Sequence, residues 1–462
     1  MFIYMVNSSS LFLASVIVAA AATSKLNGKL NGNLISTANV ANVAPQMRLF
    51  DESSERIFKV GNADNLSSEL QSMGTGFVVD TDGWIATAFH VISDTLSTTQ
   101  KRNPNVYVMQ NEKRYEAFVW AVDPLNDVAI LKVGFRLRRP WPLRSSAPSG
   151  GSTVLLVGFP HGLGLSVVSG NLQAIANSSS LRGSELSQSY QLTASAAPGM
   201  SGGPVMDSQG SVIGMTSAVH LGKGDVTWAR QSKVIISLLK SAKNQKNRPT
   251  QEDVSKQIRV ALTAAQSAQK ALLNRMLNQR TLFHGWLLPS SIAESEEAEC
   301  GESFAAIGKG VQQAEIPYRT CRDRLSFGGT ESADATASFE LNYGVIPLQD
   351  NVFKTSNLSL TRASGRVREF TSRNVGPYVC RNNLHAALNG ESFLVTLCAR
   401  EHFSPKDFFD TEARAASLDF SREPIVANMK LWTYSRESSQ ALISKFLLSL
   451  ERSPKTDLEK SP

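Results

Sequence analysis

Between residues 55 and 220 the chain is a succession of short apolar or alternating segments, each cut off within a few residues by Gly, Pro, Asn or Asp. The segments 76–79, 84–88, 106–109, 117–122, 128–133, 153–158, 189–193 and 211–215 have the length of strands rather than helices. Asp82-Gly83 and Gln209-Gly210 provide turn punctuation. Many short strands at this spacing predict an all-β barrel or sandwich. A helix over 232–242 is expected to close the domain, which we place at 55–242.

The flanking segments read differently. Residues 11–22 form an apolar run ending in Ala20-Ala21-Ala22, the pattern of a signal peptide over 1–22, although no Lys or Arg precedes it. An uncleaved N-terminal membrane anchor is the alternative. Residues 23–54, rich in Asn, Ser and Ala, suit a linker. Periodicity predicts a helix over 250–280, with Val254, Ile258, Ala261, Leu262, Ala265, Leu272 and Met276 on one stripe and Thr250 to Asp253 as its cap. Between Lys240 and Arg280 nine Lys and Arg face two acids, a net of +7. This basic helical connector, 243–282, suits a solvated helix face, or weak contact with an anionic membrane or cell wall. Residues 283–451 are expected to form an α+β domain, with strands at 338–343, 358–361, 393–397 and 416–420 and a helix over 438–450. Residues 452–462 suit a solvated tail.

All four cysteines lie in that C-terminal domain: Cys300, Cys321, Cys380 and Cys398. An even count fits an exported, periplasmic or secreted protein with two disulfides. Three pairings are open, and the local ones, Cys300–Cys321 and Cys380–Cys398, are favoured. No Cys-x-x-Cys spacing supports zinc, no cofactor motif is present, and nucleic-acid binding has no motif behind it.

The chemistry concentrates at Ala197-Pro198-Gly199-Met200-Ser201-Gly202-Gly203-Pro204. A serine hydroxyl needs a base to take its proton and backbone N–H donors for the oxyanion it creates. A glycine two residues before the serine permits the backbone conformation that turns such donors inward, so the N–H groups of Gly199 and Ser201 are assigned to the oxyanion hole. The Gly-x-Ser-x-Gly spacing also fits the nucleophile elbow of α/β-hydrolases, but a helix should then follow. Here Pro204-Val205-Met206, a turn and another strand follow instead.

Three histidines precede residue 250. His90 ends a strand running out of a turn, whereas His161 and His220 fall in loop-like sequence, so His90 is the candidate general base. Asp127 opens the apolar strand 128–133, where a carboxylate is costly without a partner, and it is the candidate orienter. Asp123 precedes Pro124 and suits a turn start. The chain order His, Asp, Ser is that of chymotrypsin, with His90 and Asp127 expected from a first barrel and Ser201 from a second.

Four ordered segments resemble the HtrA-type (high-temperature-requirement) serine proteases. They are Met73-Gly74-Thr75-Gly76-Phe77-Val78-Val79-Asp80 through His90-Val91-Ile92, Asp123-Pro124-Leu125-Asn126-Asp127 through Val133, Val157-Gly158-Phe159-Pro160-His161-Gly162 continuing to Ser169-Gly170, and the serine motif itself. The resemblance covers 57–235 and implies a double β-barrel with ATP-independent endopeptidase chemistry. Met200 stands where the family usually has Asn, and no PDZ carboxylate-binding loop is recognisable after residue 250. In chymotrypsin-like enzymes the residue six before the serine lies at the base of the P1 pocket. Ser195, flanked by Ala194 and Ala196, therefore predicts an uncharged pocket for small or medium apolar side chains. Thr216, Ser217 and Ala218 are expected to form the edge that pairs with polypeptide substrate. The competing readings are a proteolytically inactive, chaperone-like binding module on a protease scaffold, and a protease that only processes a ligand-recognising C-terminal domain.

Overall fold

Six strands cross one another's hydrogen-bonding edges until no edge is left, and the chain does this twice. The computed structural model describes residues 53–453, except 71–72, 97–104, 178–187, 221–225, 291–297, 308–313, 324–337, 347–374, 403–405 and 420. The first barrel comprises β1 (Ile57–Ala63), β2 (Met73–Asp80), β3 (Trp84–Thr87), β4 (Asn105–Gln110), β5 (Lys113–Asp123) and β6 (Val128–Lys132), closed in the order β1-β2-β3-β6-β5-β4. The second comprises β7 (Thr153–Gly158), β8 (Ser166–Asn177), β9 (Gln188–Thr193), β10 (Pro204–Asp207), β11 (Val212–His220) and β12 (Val226–Gln231), closed as β10-β11-β12-β9-β8-β7. Closure leaves no unpaired strand to water, which is why strands as short as four residues suffice. The expected chymotrypsin-like double barrel is the fold of this part of the chain.

Each barrel has its own apolar filling. Ile57, Phe58, Phe77, Ile85, Val108, Ile130 and Leu131 pack in the first, and Val154, Leu156, Leu172, Tyr190, Leu192, Val205 and Ile213 in the second. Helix α1 (Phe89–Ile92) follows β3, and α2 (Ser232–Asn244) follows β12. Ile235, Leu239 and Ala242 of α2 join the cluster of the first barrel, and the Trp120 indole N–H donates to the Ala242 carbonyl at 3.0 Å.

Helix α3 (Gln251–Asn278) starts at a capping box, with Thr250 Oγ1 accepting from the Asp253 N–H while the Asp253 carboxylate accepts from the Thr250 N–H. Its apolar stripe is divided between two cores. Val254, Ile258 and Leu262, spaced four apart, pack with the first barrel, while Ala265, Leu272, Leu273, Met276 and Leu277 pack with the C-terminal cluster. Each such side chain removed from water contributes roughly 1.5–3 kcal/mol. The described residues accordingly belong to one compact unit.

Beyond α3 lie a small sheet, β13 (Arg280–Phe283), β14 (Trp286–Pro289) and β22 (Glu451–Arg452), and a seven-stranded antiparallel sheet. The latter contains β15 (Ala298–Ile307), β16 (Ala314–Asp323), β17 (Ser338–Val345), β18 (Val379–Leu388), β19 (Glu391–Glu401), β20 (Phe408–Ser417) and β21 (Ile425–Ser435), ordered β15-β16-β17-β21-β20-β19-β18. Helix α4 (Arg436–Leu448) packs Leu442 and Phe446 on it beside α3. The strand expected at 416–420 ends instead at Ser417, because Asp419 Oδ1 accepts from the N–H and hydroxyl of Ser421 and bends the chain. The signal-peptide segment, the strand expected at 358–361 and most of the tail lie outside the described residues.

Cys300 is bonded to Cys321 and Cys380 to Cys398. Both bonds join residues that stand directly opposite on neighbouring strands, β15 with β16 and β18 with β19. They staple the two edge pairs of the sheet and close loops of 21 and 18 residues. Replacing either pair by serines is expected to cost the C-terminal part about 3 kcal/mol, mainly by freeing the unfolded chain. An unchanged calorimetric melting profile in both double variants would contradict this.

Candidate active site

Helix α1 is one turn long, and its apolar residues decide what it shows to solvent. Phe89, Val91 and Ile92 are buried in the barrel wall, which leaves His90 facing outward with its side chain 44% exposed. Asp127 lies in the turn from β5 to β6 at φ +54°, the left-handed region that costs a residue with a Cβ. The turn is tied from within. Asn126 donates its backbone N–H and its side-chain amide to the two Asp123 carboxylate oxygens at 3.1 and 2.7 Å, and the Asp127 N–H donates to the Pro124 carbonyl at 3.3 Å. The Phe89 N–H donates to the Asp127 carbonyl at 3.2 Å, which joins the turn to α1.

The imidazole and the carboxylate meet. His90 Nδ1 lies 3.0 and 2.9 Å from Asp127 Oδ1 and Oδ2, and the His90 backbone N–H donates to Oδ1 at 2.9 Å. The Ser217 hydroxyl donates to Oδ2 at 2.5 Å. Burial pushes the Asp127 carboxyl up, but the His90 charge, the His90 side-chain hydrogen bond, the Ser217 hydroxyl and the His90 N–H outweigh it. The carboxyl is held below its ordinary value. An ionised carboxylate only accepts, so Nδ1 is the donor and Nε2 carries the lone pair of the neutral ring.

Ser201 sits in the loop from β9 to β10 and is joined to the same assembly through Ser217, whose carbonyl accepts from the Ser201 hydroxyl at 3.4 Å. The Ser201 carbonyl accepts from the Thr75 N–H of β2 at 2.7 Å, which locks the serine loop of the second barrel onto the first. Gly202, at φ +85°, fits against β2 and β3 so closely that a Cβ there would stand 2.1 Å from the Thr75 carbonyl. Gly199, at φ +96°, is equally confined, with the Phe159 carbonyl 2.4 Å from where a Cβ would be.

Bonded carbonyls fix the peptide planes of this loop. The Pro198 carbonyl accepts from the His161 N–H at 2.6 Å and the Met200 carbonyl accepts from the Gly203 N–H at 3.0 Å. In a trans peptide the N–H points opposite to the carbonyl, so the N–H groups of Gly199 and Ser201 are turned away from those partners. The Thr75 hydroxyl adds a third tie, donating to the Gly199 carbonyl at 2.7 Å and accepting from the Phe159 N–H at 3.1 Å.

The residues assigned to the substrate pocket divide into two groups. Ser195 is exposed and Ala196 buried in the stretch before the serine. Thr227, fully buried in β12, holds that stretch by donating its hydroxyl to the Ala194 carbonyl at 2.6 Å and accepting from the Ala196 N–H at 3.4 Å. Thr216 is not a free edge residue, and the Ser217 hydroxyl has a partner of its own. The Thr216 carbonyl accepts from the Gly202 N–H at 2.7 Å and its N–H donates to the Gly203 carbonyl at 2.8 Å, while the Ser217 side chain is committed to Asp127. Ala218 follows a bulge in β11 and pairs with Trp228. His220, expected in a loop, is the last residue of β11, and His161 occupies a short 3-10 turn, Pro160–Gly162.

Sequence reasoning missed the side-chain parts played by Thr75, Ser217 and Thr227. Arg230, buried in β12, was missed too; its Nη1 donates to Ser189 Oγ at 2.8 Å, and the Asp127 and Asp123 carboxylates offset part of the cost of burying its charge. Nothing in these isolated hydroxyls or this lone arginine signals a role until the barrels close around them.

Residues 74–215 match the family model described as a trypsin-like peptidase domain. Over 209 residues the chain is 27% identical to a Pseudomonas fluorescens protein named probable periplasmic serine endoprotease DegP-like, across 45% of this chain and 42% of that one. It is 30% identical over 161 residues to the serine endoprotease DegS of Haemophilus influenzae, across 35% of this chain and 45% of that one. The active form of the Rv3671c protease from M. tuberculosis aligns with 49% of this chain and 97% of its own, at 20% identity and a TM-score of 0.38. The chain spans less than half the length of these two curated relatives. The double-barrel unit built around residues 74–215 is a trypsin-like peptidase domain, related in sequence to the HtrA-type serine proteases.

Proposed function

We propose that this chain is an exported serine endopeptidase that cleaves polypeptides through an acyl-enzyme, with Ser201 as nucleophile, His90 as base and Asp127 as orienter. The observation that carries the reading is the connected set of His90, Asp127, Ser217 and Ser201, closed across two barrels by hydrogen bonds of 2.5–3.4 Å. Asp127 holds the proton of His90 on Nδ1, so Nε2 takes the Ser201 proton as Oγ bonds to the substrate carbonyl carbon. The N–H groups of Gly199 and Ser201 receive the oxyanion. The imidazolium then gives the proton to the leaving amine as the C–N bond breaks. Water repeats the sequence on the ester, with His90 again as base.

The P1 side chain enters beside Ser195 and Ala196, a stretch flanked by Ala194 that carries no acid of its own to hold Lys or Arg, so small and medium apolar residues are preferred. The two-sided use of the Thr216 backbone by the serine loop leaves Ser217 and Ala218 as the edge residues for extended substrate. Exported or misfolded proteins are the substrate class, and the periplasm or the secreted space the location. The Pseudomonas relative, named as periplasmic, and the apolar run ending at Ala22 support that location. No helix among the described residues is long and apolar enough to cross a membrane.

An organophosphonate probe is expected to label the wild-type protein and not Ser201→Ala, with labelling strongly reduced in His90→Ala. Absence of wild-type labelling would leave a binding module on a protease scaffold. Asp127→Asn should keep the fold and lower kcat by about 10⁴-fold, since the imidazole is then held in the wrong tautomer. A fall of less than tenfold would remove Asp127 from the set. Among fluorogenic peptides, those ending in Val or Ala at P1 are expected to outpace Lys or Arg, and the reverse order would refute the assigned pocket. Gly199→Ala forces a Cβ against the Phe159 carbonyl, and it is expected to lower acylation by roughly 10²-fold or more.

A further inference from the structure

The turn carrying Asp127 is gripped on its far side by residues from beyond the peptidase domain. Val122, which leads into the turn, donates its N–H to the Gln257 side-chain oxygen of α3 at 2.9 Å. Leu125, at the tip of the turn, packs against the apolar cluster formed by α3, α4 and the seven-stranded sheet rather than against either barrel filling. These are two contacts within five residues of Asp127, one polar and one apolar. Both are made by a part of the chain that the chemistry does not otherwise need.

Helix α3 is itself held from both ends of its stripe. Val254, Ile258 and Leu262 fix it to the first barrel, and its Gln266 side-chain amide donates to the Thr433 carbonyl of β21 at 3.0 Å. Arg259 pairs with Asp407 at 3.3 Å, and the neighbouring Phe408 of β20 joins the apolar cluster of the first barrel. The left-handed backbone of Asp127 persists only where its surroundings over-determine it. The internal bonds of the turn supply part of that constraint, and α3 with the C-terminal core supplies the rest.

We propose that the C-terminal part of this chain is a brace for the Asp127 turn, with Leu125 and Gln257 as positioning residues for the His90–Asp127 pair. The proposal rests on the triad reading above for its effect on catalysis, but not for its effect on geometry. Releasing the turn moves the carboxylate away from Nδ1 without removing a group that touches substrate. The charged group that acts on Asp127 is His90, and Asp127 and Asp123 both act on the buried Arg230. None of these is altered by changing Leu125 or Gln257.

The test uses the full chain with Leu125→Ser, Gln257→Ala and the conservative Leu125→Met. The geometry is read from the low-field proton resonance of the His90 Nδ1–H, assigned by its loss in His90→Gln. Turnover is read separately as kcat, KM and the pH profile of kcat/KM. Leu125→Ser and Gln257→Ala are expected to weaken that resonance or move it upfield. They should lower kcat by about ten- to a hundredfold with KM unchanged, and move the acid limb of the profile to lower pH as the imidazolium loses its partner. Leu125→Met should restore all three. A merely structural role would lower the melting temperature and the active fraction without moving the acid limb. Should Leu125→Ser fail to fold, Gln257→Ala, which removes one hydrogen bond at a half-buried helix face, decides the matter. Retention of the resonance, kcat and pH profile in the variants that fold overturns the brace. A wild type that shows the resonance, loses it in the two variants and cleaves no peptide supports the brace and overturns the peptidase reading instead.

Discussion

A single carboxylate, its side chain only 15% exposed, organises the site. Asp127 accepts from the His90 ring, the His90 backbone and the Ser217 hydroxyl, and these partners come from α1 in one barrel and β11 in the other. A carboxylate with so little solvent is stable only while those donors stay in place. The same requirement that keeps the acid ionised therefore holds the barrels in register. The Thr75 N–H to the Ser201 carbonyl and the Thr75 hydroxyl to the Gly199 carbonyl run in parallel with it. The cleft is a seam closed by side-chain and main-chain donors, not by apolar burial alone.

The second organising element is α3. A free helix of this length in a peptidase would need only one apolar face. Here the stripe changes partner part-way, from the first barrel at Leu262 to the C-terminal cluster at Ala265. Of the basic residues noted in sequence, Lys240 and Lys243 belong to α2, while Lys256, Arg259, Lys270 and Arg275 lie on the remaining surface of α3, with Arg259 paired to Asp407. The C-terminal sheet carries its own covalent reinforcement at both edge pairs, and its interior includes Trp286, Phe339, Tyr343, Phe393 and Phe446. Peptidase and C-terminal parts thus share a strut, and each lends the other one apolar side chain, Leu125 in one direction and Phe408 in the other.

Strands whose residues alternate or run apolar were legible before folding, such as Thr153–Gly158 and Val128–Lys132, because burial repeats with the pleat. Strands in which polar residues break the alternation were not. β18 reads Val-Cys-Arg-Asn-Asn-Leu-His-Ala-Ala-Leu and lies at a sheet edge, where solvent removes the demand for alternation. β15 and β16 were missed for a similar reason, since a disulfide and a salt bridge from Arg319 to Glu302 stand where apolar pairs would be expected.

Residue chemistry in one dimension was enough to single out His90, Asp127, Ser201 and Gly199 as candidates, since an imidazole at a strand end, an acid at the mouth of an apolar strand, a serine in a Gly-rich loop and a residue free to take positive φ each leave a local mark. What those residues touch was decided only in three dimensions. Ser217 and Asp127 are 90 residues apart in the chain, and Thr75 and Gly199 are 124 apart. Hydroxyls carry no periodic or compositional signal, so only barrel closure could reveal that one supports the acid and the other the serine loop. Leu125 read as one more apolar residue in a turn. Its partner is a core assembled from residues beyond 264, and a local pattern holds no information about a surface that does not exist until the rest of the chain has folded.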